Sequence, residues 1–219
     1  MPYYIRPMQR EDIPQVKAID RQAFPTMLPP PNFERELRNQ MTHFYVVCDS
    51  EGRPEPEETE DVPAAGPGLF GRIKKWFNQD GQPETGRAAV CRQAEYVCGY
   101  VGFWVMADEA HITTIAVRDK CQRQGLGELL IMTVIDRAQE FYASVVTLEV
   151  RVSNTGAQRL YDKYGFARTG VRKRYYTDNH EDAYIMTTGD ITSSEYRNKI
   201  EELSQEHKSR WGEARFSFS

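Results

Sequence analysis

Apolar residues recur along this chain at two spacings, one typical of helices and the other typical of strands. Residues 9–24 and 126–143 place apolar side chains three and four positions apart, which predicts amphipathic helices. Residues 3–8, 43–49 and 144–152 are short runs rich in β-branched and aromatic side chains, which favours strands. Interleaved helices and strands of this kind indicate an α/β protein.

Two hairpins and three more helices complete the predicted order. The apolar runs on either side of residues 107–109 and of residues 178–181 predict antiparallel hairpins. Helices are predicted at 32–41 and 153–165, which begin with capping residues, and from residue 192 onward, where a capping box precedes a helical repeat. The order is therefore strand, two helices, strand, insertion, hairpin, helix, strand, helix, hairpin and a tail helix.

The same pattern divides the chain into a domain at 1–190, with an inserted segment at 49–95, and a helical tail at 191–219. The insertion begins with an acidic, proline-containing stretch that is too polar to offset chain entropy by burial, so we expect a mobile linker. Residues 68–78 then form a basic amphipathic pattern, typical of a short helix that packs on protein or lies on a membrane surface. Because so short a helix buries little area, packing on protein is the favoured interpretation.

Bulk composition narrows the classes of function. The 219 residues carry a net charge of −4, without the basic excess expected of a dedicated nucleic-acid-binding protein. The four cysteines lack CxxC spacing and paired histidines, so we expect no metal site. Because neither a signal-like N-terminus nor a membrane-length apolar run occurs, we expect a cytoplasmic protein with no membrane span. Composition leaves the oligomeric state open.

The stretch QRQGLGELL at 122–130 carries the first candidate chemistry. Gly125 and Gly127 lie between a predicted strand that ends at Val117 and the long predicted helix. Bare backbone at the start of a helix favours an anion such as phosphate, and Arg123 adds positive charge. The stretch lacks the third glycine of a dinucleotide fingerprint and the Lys-Ser/Thr of a phosphate loop. A plain turn is the alternative interpretation.

Two later segments place polar side chains on defined faces. Strand alternation puts Glu149 on the same face as Thr147 and Arg151. Asn154 and Tyr161 are two helical turns apart, so they share one face of the helix at 153–165. Each residue also has a simpler explanation by itself, as a solvated carboxylate, a helix cap or an amphipathic core tyrosine.

Several motifs occur in one order along the chain: IAV (115–117), QRQGLG (122–127), LEVRVSN (148–154), AxxLYxxxGF (157–166) and RKRYYTDNHEDAYIM (172–186). Together they resemble the acetyl-CoA-dependent N-acetyltransferase (GNAT) superfamily, and especially its RimI-like branch of protein N-terminal, ribosomal-protein alanine acetyltransferases. The resemblance covers about residues 1–50 and 90–188. It implies a GNAT fold, which is a mixed central sheet with a splayed strand pair, flanked by helices.

The resemblance also implies that acetyl-CoA is the cofactor. The splayed strand would hold its pantetheine arm and thioester through Ile115, Ala116 and Val117. The backbone amides that would wrap its diphosphate belong to Arg123, Gln124, Gly125, Leu126, Gly127 and Glu128. Asn154 would hold the arm. Glu128 stands where the family usually has a basic residue, so only its backbone is expected to contact phosphate.

The implied reaction transfers acetyl directly, in a ternary complex, to the N-terminal amine of a protein or peptide, with a ribosomal protein as a candidate substrate. Glu149 would be the general base, acting through water, and Tyr161 would be the general acid. Phe24, Pro25 and Tyr175 would lie near the peptide. The alternatives are an enzyme acting on a small amine or a lysine side chain, and a non-catalytic acyl-CoA sensor.

The remaining polar clusters suggest no other chemistry. The histidines at 43, 111, 180 and 207 lie on different predicted elements, so a histidine base is not expected. The basic run at 172–174 is interpreted as the rim of a hairpin or as a guide for an acidic or ribosomal partner. Direct binding of nucleic acid is not expected from so short a patch.

Overall fold

The structure is a computed structural model that describes residues 1–26, 31–52 and 95–217. Its strands are β1 (Tyr3–Pro7), β2 (Thr42–Asp49), β3 (Tyr96–Met106), β4 (Glu109–Val117), β5 (Val145–Arg151), β6 (Phe166–Arg172), β7 (Ala183–Thr188) and β8 (Arg215–Phe216). Its helices are α1 (Ile13–Ala23), α2 (Phe33–Glu36), α3 (Leu126–Glu140), α4 (Thr155–Lys163) and α5 (Ser194–Trp211).

The strands form one sheet in the order β6-β7-β5-β4-β3-β2-β1-β8. Within the described ranges, β4 with β5 and β1 with β8 pair in parallel, and the other neighbours pair antiparallel. Both faces of the sheet carry helices, which agrees with the predicted mixed α/β fold. In these same ranges, no helix has both the length and the apolar character that crossing a membrane would require.

Each face of the sheet has its own apolar core. Apolar residues of α3, including Leu130 and Val134, are fully buried in the larger core. On the opposite face, Phe33 of α2 packs edge-on against Phe44 and Tyr100, with ring centroids 5.8 Å apart in both pairs. Helices bury their apolar stripes against the sheet in this way because apolar surface is removed from water.

The parallel pair β4 and β5 separates soon after it starts. Their pairing runs only from Glu109–Val145 to Ile112–Leu148, although both strands continue. The register of β4 against β3 shifts next to Thr113, which indicates a β-bulge at that point. Because a bulge increases local twist and interrupts pairing, it accounts for the place where the two strands part. The splayed pair expected of a GNAT fold is therefore present.

Some predicted elements differ in length or fall outside the described residues. The helix predicted at 32–41 ends at Glu36, because the chain then makes short turns, including a Thr42 N–H bond to Asn39 O, to enter β2. Strand β8 was not predicted. The amphipathic helix predicted at 68–78, and the acidic linker except its first two residues, lie outside the described residues. The domain boundary at residue 190 stays a prediction.

One close approach in the sheet gives a test of this packing. A Cβ added to Gly102 would lie 2.3 Å from Cε1 of Phe44, a ring that also borders the central cavity. We expect Gly102→Ala to lower the free energy of unfolding by about 1–3 kcal/mol, because the ring must shift. Gly189→Ala is the matched control, since no atom lies within 4 Å of the added Cβ. Equal denaturant midpoints for the two variants would contradict this packing.

Candidate active site

The loop before α3 exposes a run of backbone amides. Gly125 is the N-cap of α3 in the left-handed region, with φ 77°, and Arg123 is also left-handed, with φ 60°. Among the described residues, the N–H groups of 123–128 have no backbone acceptor, and the first such bond joins Leu129 N–H to Gly125 O at 3.0 Å. Successive unpaired amides at the positive end of a helix dipole favour a phosphate anion.

The side chains around this loop refine the sequence prediction. The Arg123 side chain is exposed and forms no ion pair within the described chain, so it is available to a phosphate. The Glu128 carboxylate instead accepts hydrogen bonds from Lys163 Nζ at 2.7 Å and Tyr164 Oη at 2.8 Å. Burial opposes ionisation of Glu128, but these two bonds outweigh it and lower its pKa. Lys163 of α4 thus balances the negative charge of Glu128.

The free edge of β4 leads from this loop into a cavity. Beyond Ile112, the β5-facing edge of β4 has no strand partner among the described residues, so residues 115–117 can pair with an extended ligand. Ile115 borders the cavity, whereas Ala116 is buried in the smaller core and Val117 pairs with Gly99 on β3. An open strand edge offers main-chain hydrogen bonds to an extended chain.

The cavity lies where β4 and β5 part and has a volume of about 480 Å³. Its described walls carry four of the predicted cofactor and catalytic residues and two of the predicted substrate residues. These are Ile115, Asn154, Glu149 and Tyr161, together with Phe24 and Tyr175. Pro25 follows Phe24 in the chain but does not border the cavity. The structure thus brings together residues that the sequence places on five separate elements.

Glu149 is held on both oxygens. Its side chain is 6% exposed, and Oε2 lies 2.9 Å from His111 Nε2 while Oε1 lies 3.0 Å from Arg172 Nε. Because a carboxylate can only accept here, His111 Nε2 carries the proton of this hydrogen bond. Burial opposes ionisation, but His111 and Arg172 outweigh it and lower the pKa of Glu149 below its usual range. The group is therefore ionised at neutral pH and is a weak base.

His111 is a functional candidate that the sequence pattern did not reveal. It lies opposite Thr147 in the short parallel register, and this register directs it toward Glu149. Trp104 stacks on its ring, with centroids 4.9 Å apart and planes 4° from parallel. The sequence analysis expected no histidine base, and it did not foresee that His111 would contact Glu149. The strand register is the missing signal, and a sequence does not contain it.

Tyr161 lines the cavity, and its phenol hydroxyl has no hydrogen-bond partner among the described residues. Its side chain is buried in the larger core, and its hydroxyl makes no hydrogen bond to any described residue. Burial raises its pKa, so the phenol stays protonated well into alkaline pH. Asn154, on the same face of α4, caps the helix by accepting the Ala157 N–H at 3.1 Å. The Asn154 amide nitrogen keeps its own donors for a ligand.

Two ion pairs of Arg151 hold the side of the cavity that the β6–β7 connection forms. Arg151 binds Asp178 at 2.8 Å and Glu181 at 3.2 Å, and its guanidinium lies 3.8 Å from the centre of the Tyr176 ring. The Thr26 hydroxyl also donates to Asp178, and together with Arg151 it lowers the pKa of Asp178 to about 2. The β6–β7 connection is thereby tied to the segment after α1, so the cavity has two fixed sides.

Glu36 is a further acidic group that the sequence did not single out. It borders the cavity from the end of α2. Arg172 balances Glu149, and two acidic partners balance Arg151, so Glu36 is the carboxylate at this cavity without a basic partner among the described residues. Its charge favours a cationic or amine substrate over an acidic one.

An open strand edge, a loop of unpaired amides and a cavity with a carboxylate and a phenol fit an α/β transferase that takes an extended, diphosphate-bearing cofactor. The sequence profile of the Acetyltransferase (GNAT) family matches residues 38–166, and the chain belongs to that family. The predictions of a GNAT fold, of an acetyltransferase and of acetyl-CoA as its cofactor are confirmed.

Similar proteins are known from bacteria and archaea. A Bacillus subtilis (strain 168) protein, provisionally named a ribosomal protein bS18-alanine N-acetyltransferase, is 31% identical over 182 residues, which are 83% of this chain and 92% of that protein. An N-alpha-acetyltransferase of Sulfurisphaera tokodaii is 30% identical over 185 residues, 84% of this chain and 91% of that one. The crystal structure of the Escherichia coli ribosomal-protein-S18-alanine N-acetyltransferase shares the fold, with a TM-score of 0.56, 23% identity and coverage of 85% and 92%.

The arrangement of Glu149 and Tyr161 gives a direct test of the site. We expect Glu149→Gln and Tyr161→Phe each to lower kcat by about 100-fold, because each removes a proton acceptor or donor from the cavity. The dissociation constant for acetyl-CoA should stay unchanged. Tyr184→Phe is the matched control, since it removes a phenol oxygen outside the cavity. Full turnover by either cavity variant would show that these residues do not act on protons.

Proposed function

We propose that this protein transfers the acetyl group of acetyl-CoA to the N-terminal α-amine of a protein or peptide. The main support is its similarity, over more than four-fifths of its length, to two proteins named as N-terminal acetyltransferases. The cavity supports the same conclusion, because its acidic groups suit an amine and its open end suits an extended chain.

The described residues fit acetyl-CoA at two points. The free amides of 123–128, with Arg123, would hold the diphosphate, and the open edge at 115–117 with Asn154 would hold the pantetheine arm. The unpaired N–H groups of this loop are the donors that a diphosphate would accept hydrogen bonds from. When bound, acetyl-CoA supplies an acetyl group that is already activated as a thioester. The protein therefore needs no covalent intermediate, and positioning contributes most of the rate.

The ionisation of Glu149 favours an α-amine over a lysine. At pH 7, removing a proton from an α-amine with a pKa near 8 costs about 1.4 kcal/mol, against about 4.6 kcal/mol for lysine with a pKa near 10.4. A carboxylate whose pKa is lowered contributes little to this cost, so the amine that is closer to neutral at pH 7 is the better substrate. We infer that Glu149 accepts the proton through a water molecule, since both of its oxygens already have partners.

The remaining residues position the two reacting groups. Tyr161 holds a proton at its hydroxyl for a thiolate leaving group, and burial keeps that proton in place up to alkaline pH. Phe24, Pro25 and Tyr175 would contact the first residues of the peptide, with Glu36 opposite. Transfer would occur directly in a ternary complex. A non-catalytic sensor would need neither the carboxylate nor the phenol.

The proposed substrate class is taken from the names of the similar proteins. A ribosomal protein is the substrate that we propose, which would place the reaction in the cytoplasm. Of the exposed basic residues at 172–174, Arg172 pairs with Glu149 and Lys173 pairs with Asp182, so Arg174 would guide the partner electrostatically.

The pH dependence of kcat/KM tests the role of Glu149. Because its pKa is lowered, the Glu149 carboxylate is already ionised at neutral pH, so its titration adds no limb to the pH profile there. We expect kcat/KM to rise with pH until the α-amine is neutral, near pH 8, and then to level off. Glu149→Gln should lower the plateau without moving the limb. A limb that shifts or disappears in this variant would mean that Glu149 titrates near neutral pH.

Competition between amines tests the substrate. Peptides that begin with Ala, Ser or Met should be acetylated with kcat/KM about 100-fold above that for spermidine. The matched control is the same peptide with its α-amine already acetylated and one lysine free. Comparable rates for the blocked peptide or for the polyamine would assign the enzyme to lysine or small amines instead.

A further inference from the structure

The tail helix α5 packs against the loop at residues 123–128, which is proposed to bind the diphosphate and is called the diphosphate loop below. His207, which is 4% exposed, lies with Nε2 3.0 Å from Gly125 O. A carbonyl oxygen only accepts, so His207 donates this hydrogen bond from Nε2. A Cβ added to Gly125 would come within 2.6 Å of Trp211 Cδ1 and 2.7 Å of His207 Nε2. Both side chains therefore cover Gly125 on the side where the side chain of any other residue at this position would project.

This loop needs external support. Two of its residues are left-handed, and one of them, Arg123, is not a glycine. A left-handed non-glycine residue persists where surrounding contacts hold it. The amides of 123–128 add no backbone hydrogen bonds of their own among the described residues. The contacts that hold the loop include the His207 bond, the cover from Trp211, and side-chain hydrogen bonds of Gln124 with Tyr3 and with Lys120 O.

Helix α5 is itself anchored independently of the loop. Its first turn is capped by Ser193, and Tyr196 Oη donates to Tyr164 O at 2.7 Å, at the end of α4. At its far end, β8 pairs with β1, and the Ser217 N–H bonds to Ile5 O at 2.8 Å. A helix fixed at both ends can hold the loop rigidly. The helix lies outside residues 38–166, which match the family profile.

We propose that α5 is a cofactor-positioning element, in which His207 and Trp211 hold the Gly125 loop in the conformation that binds the diphosphate of acetyl-CoA. Neither residue contacts the cofactor in this proposal. Holding the loop raises the fraction of molecules in the competent conformation, and the apparent dissociation constant falls in proportion to that fraction. The proposal depends on the cofactor of the family and not on the identity of the amine substrate.

Calorimetry of the full-length protein with free coenzyme A tests the proposal. We expect His207→Ala to raise the dissociation constant about tenfold, because one buried hydrogen bond to the loop is lost. His207→Gln can keep a donor at the equivalent position and should bind within about threefold of the unmodified protein. Ser209→Ala is the matched control, because Ser209 is exposed on the same helix and does not anchor it, and this variant should bind coenzyme A normally.

A second probe separates positioning from general damage. S-acetylpantetheine lacks the diphosphate, so its kcat/KM should be the same for His207→Ala and for the unmodified protein, while kcat/KM for acetyl-CoA falls. Trp211→Leu, at a half-buried position, gives the same two readouts if His207→Ala does not fold. Unchanged coenzyme A binding in these variants, or equal losses with both thioesters, would overturn the proposal. If the unmodified protein did not bind coenzyme A, the proposed function would fail instead.

Discussion

The separation of β4 from β5 is the constraint on which the rest of the site depends. Paired strands satisfy each other's main-chain groups, so a cofactor can reach the strand edge only where pairing stops. Here pairing ends at Ile112 and Leu148, next to the bulge at Thr113. The same gap opens the cavity, directs Glu149 toward it and leads to the free amides before α3. One irregularity in the sheet would thus position both the cofactor and the proposed acid–base groups.

The charges of the site are balanced by neighbouring elements. Glu128, close to the diphosphate loop, is neutralised by Lys163, and Arg151 is neutralised by two acidic residues. Glu149 is ionised and paired with His111 and Arg172, which makes it a weak base. An enzyme with so weak a base suits an amine that is already partly neutral. The electrostatics and the similarity to N-terminal acetyltransferases therefore support the same substrate.

Local features of the fold were predictable from the sequence, and long-range features were not. The periodicity of 126–143 and the alternation of 144–152 predicted α3 and β5, because these segments follow one repeat. The motif resemblance brought Glu149, Asn154 and Tyr161 together. The contact between His111 and Glu149 depends on the register of two parallel strands, and that of His207 with Gly125 spans 82 positions. Neither contact can be read from a local sequence pattern. The shortness of α2 likewise depends on where β2 must begin.

The central claim is that the backbone amides at the head of α3 bind the diphosphate. Amide chemical shifts and hydrogen exchange, measured by nuclear magnetic resonance during titration with coenzyme A and with pantetheine, test it most directly. The account predicts that coenzyme A shifts and protects the amides of residues 124–128, and that pantetheine, which lacks phosphate, leaves them unchanged. Saturation with coenzyme A while these amides keep their free shifts and exchange rates would contradict it.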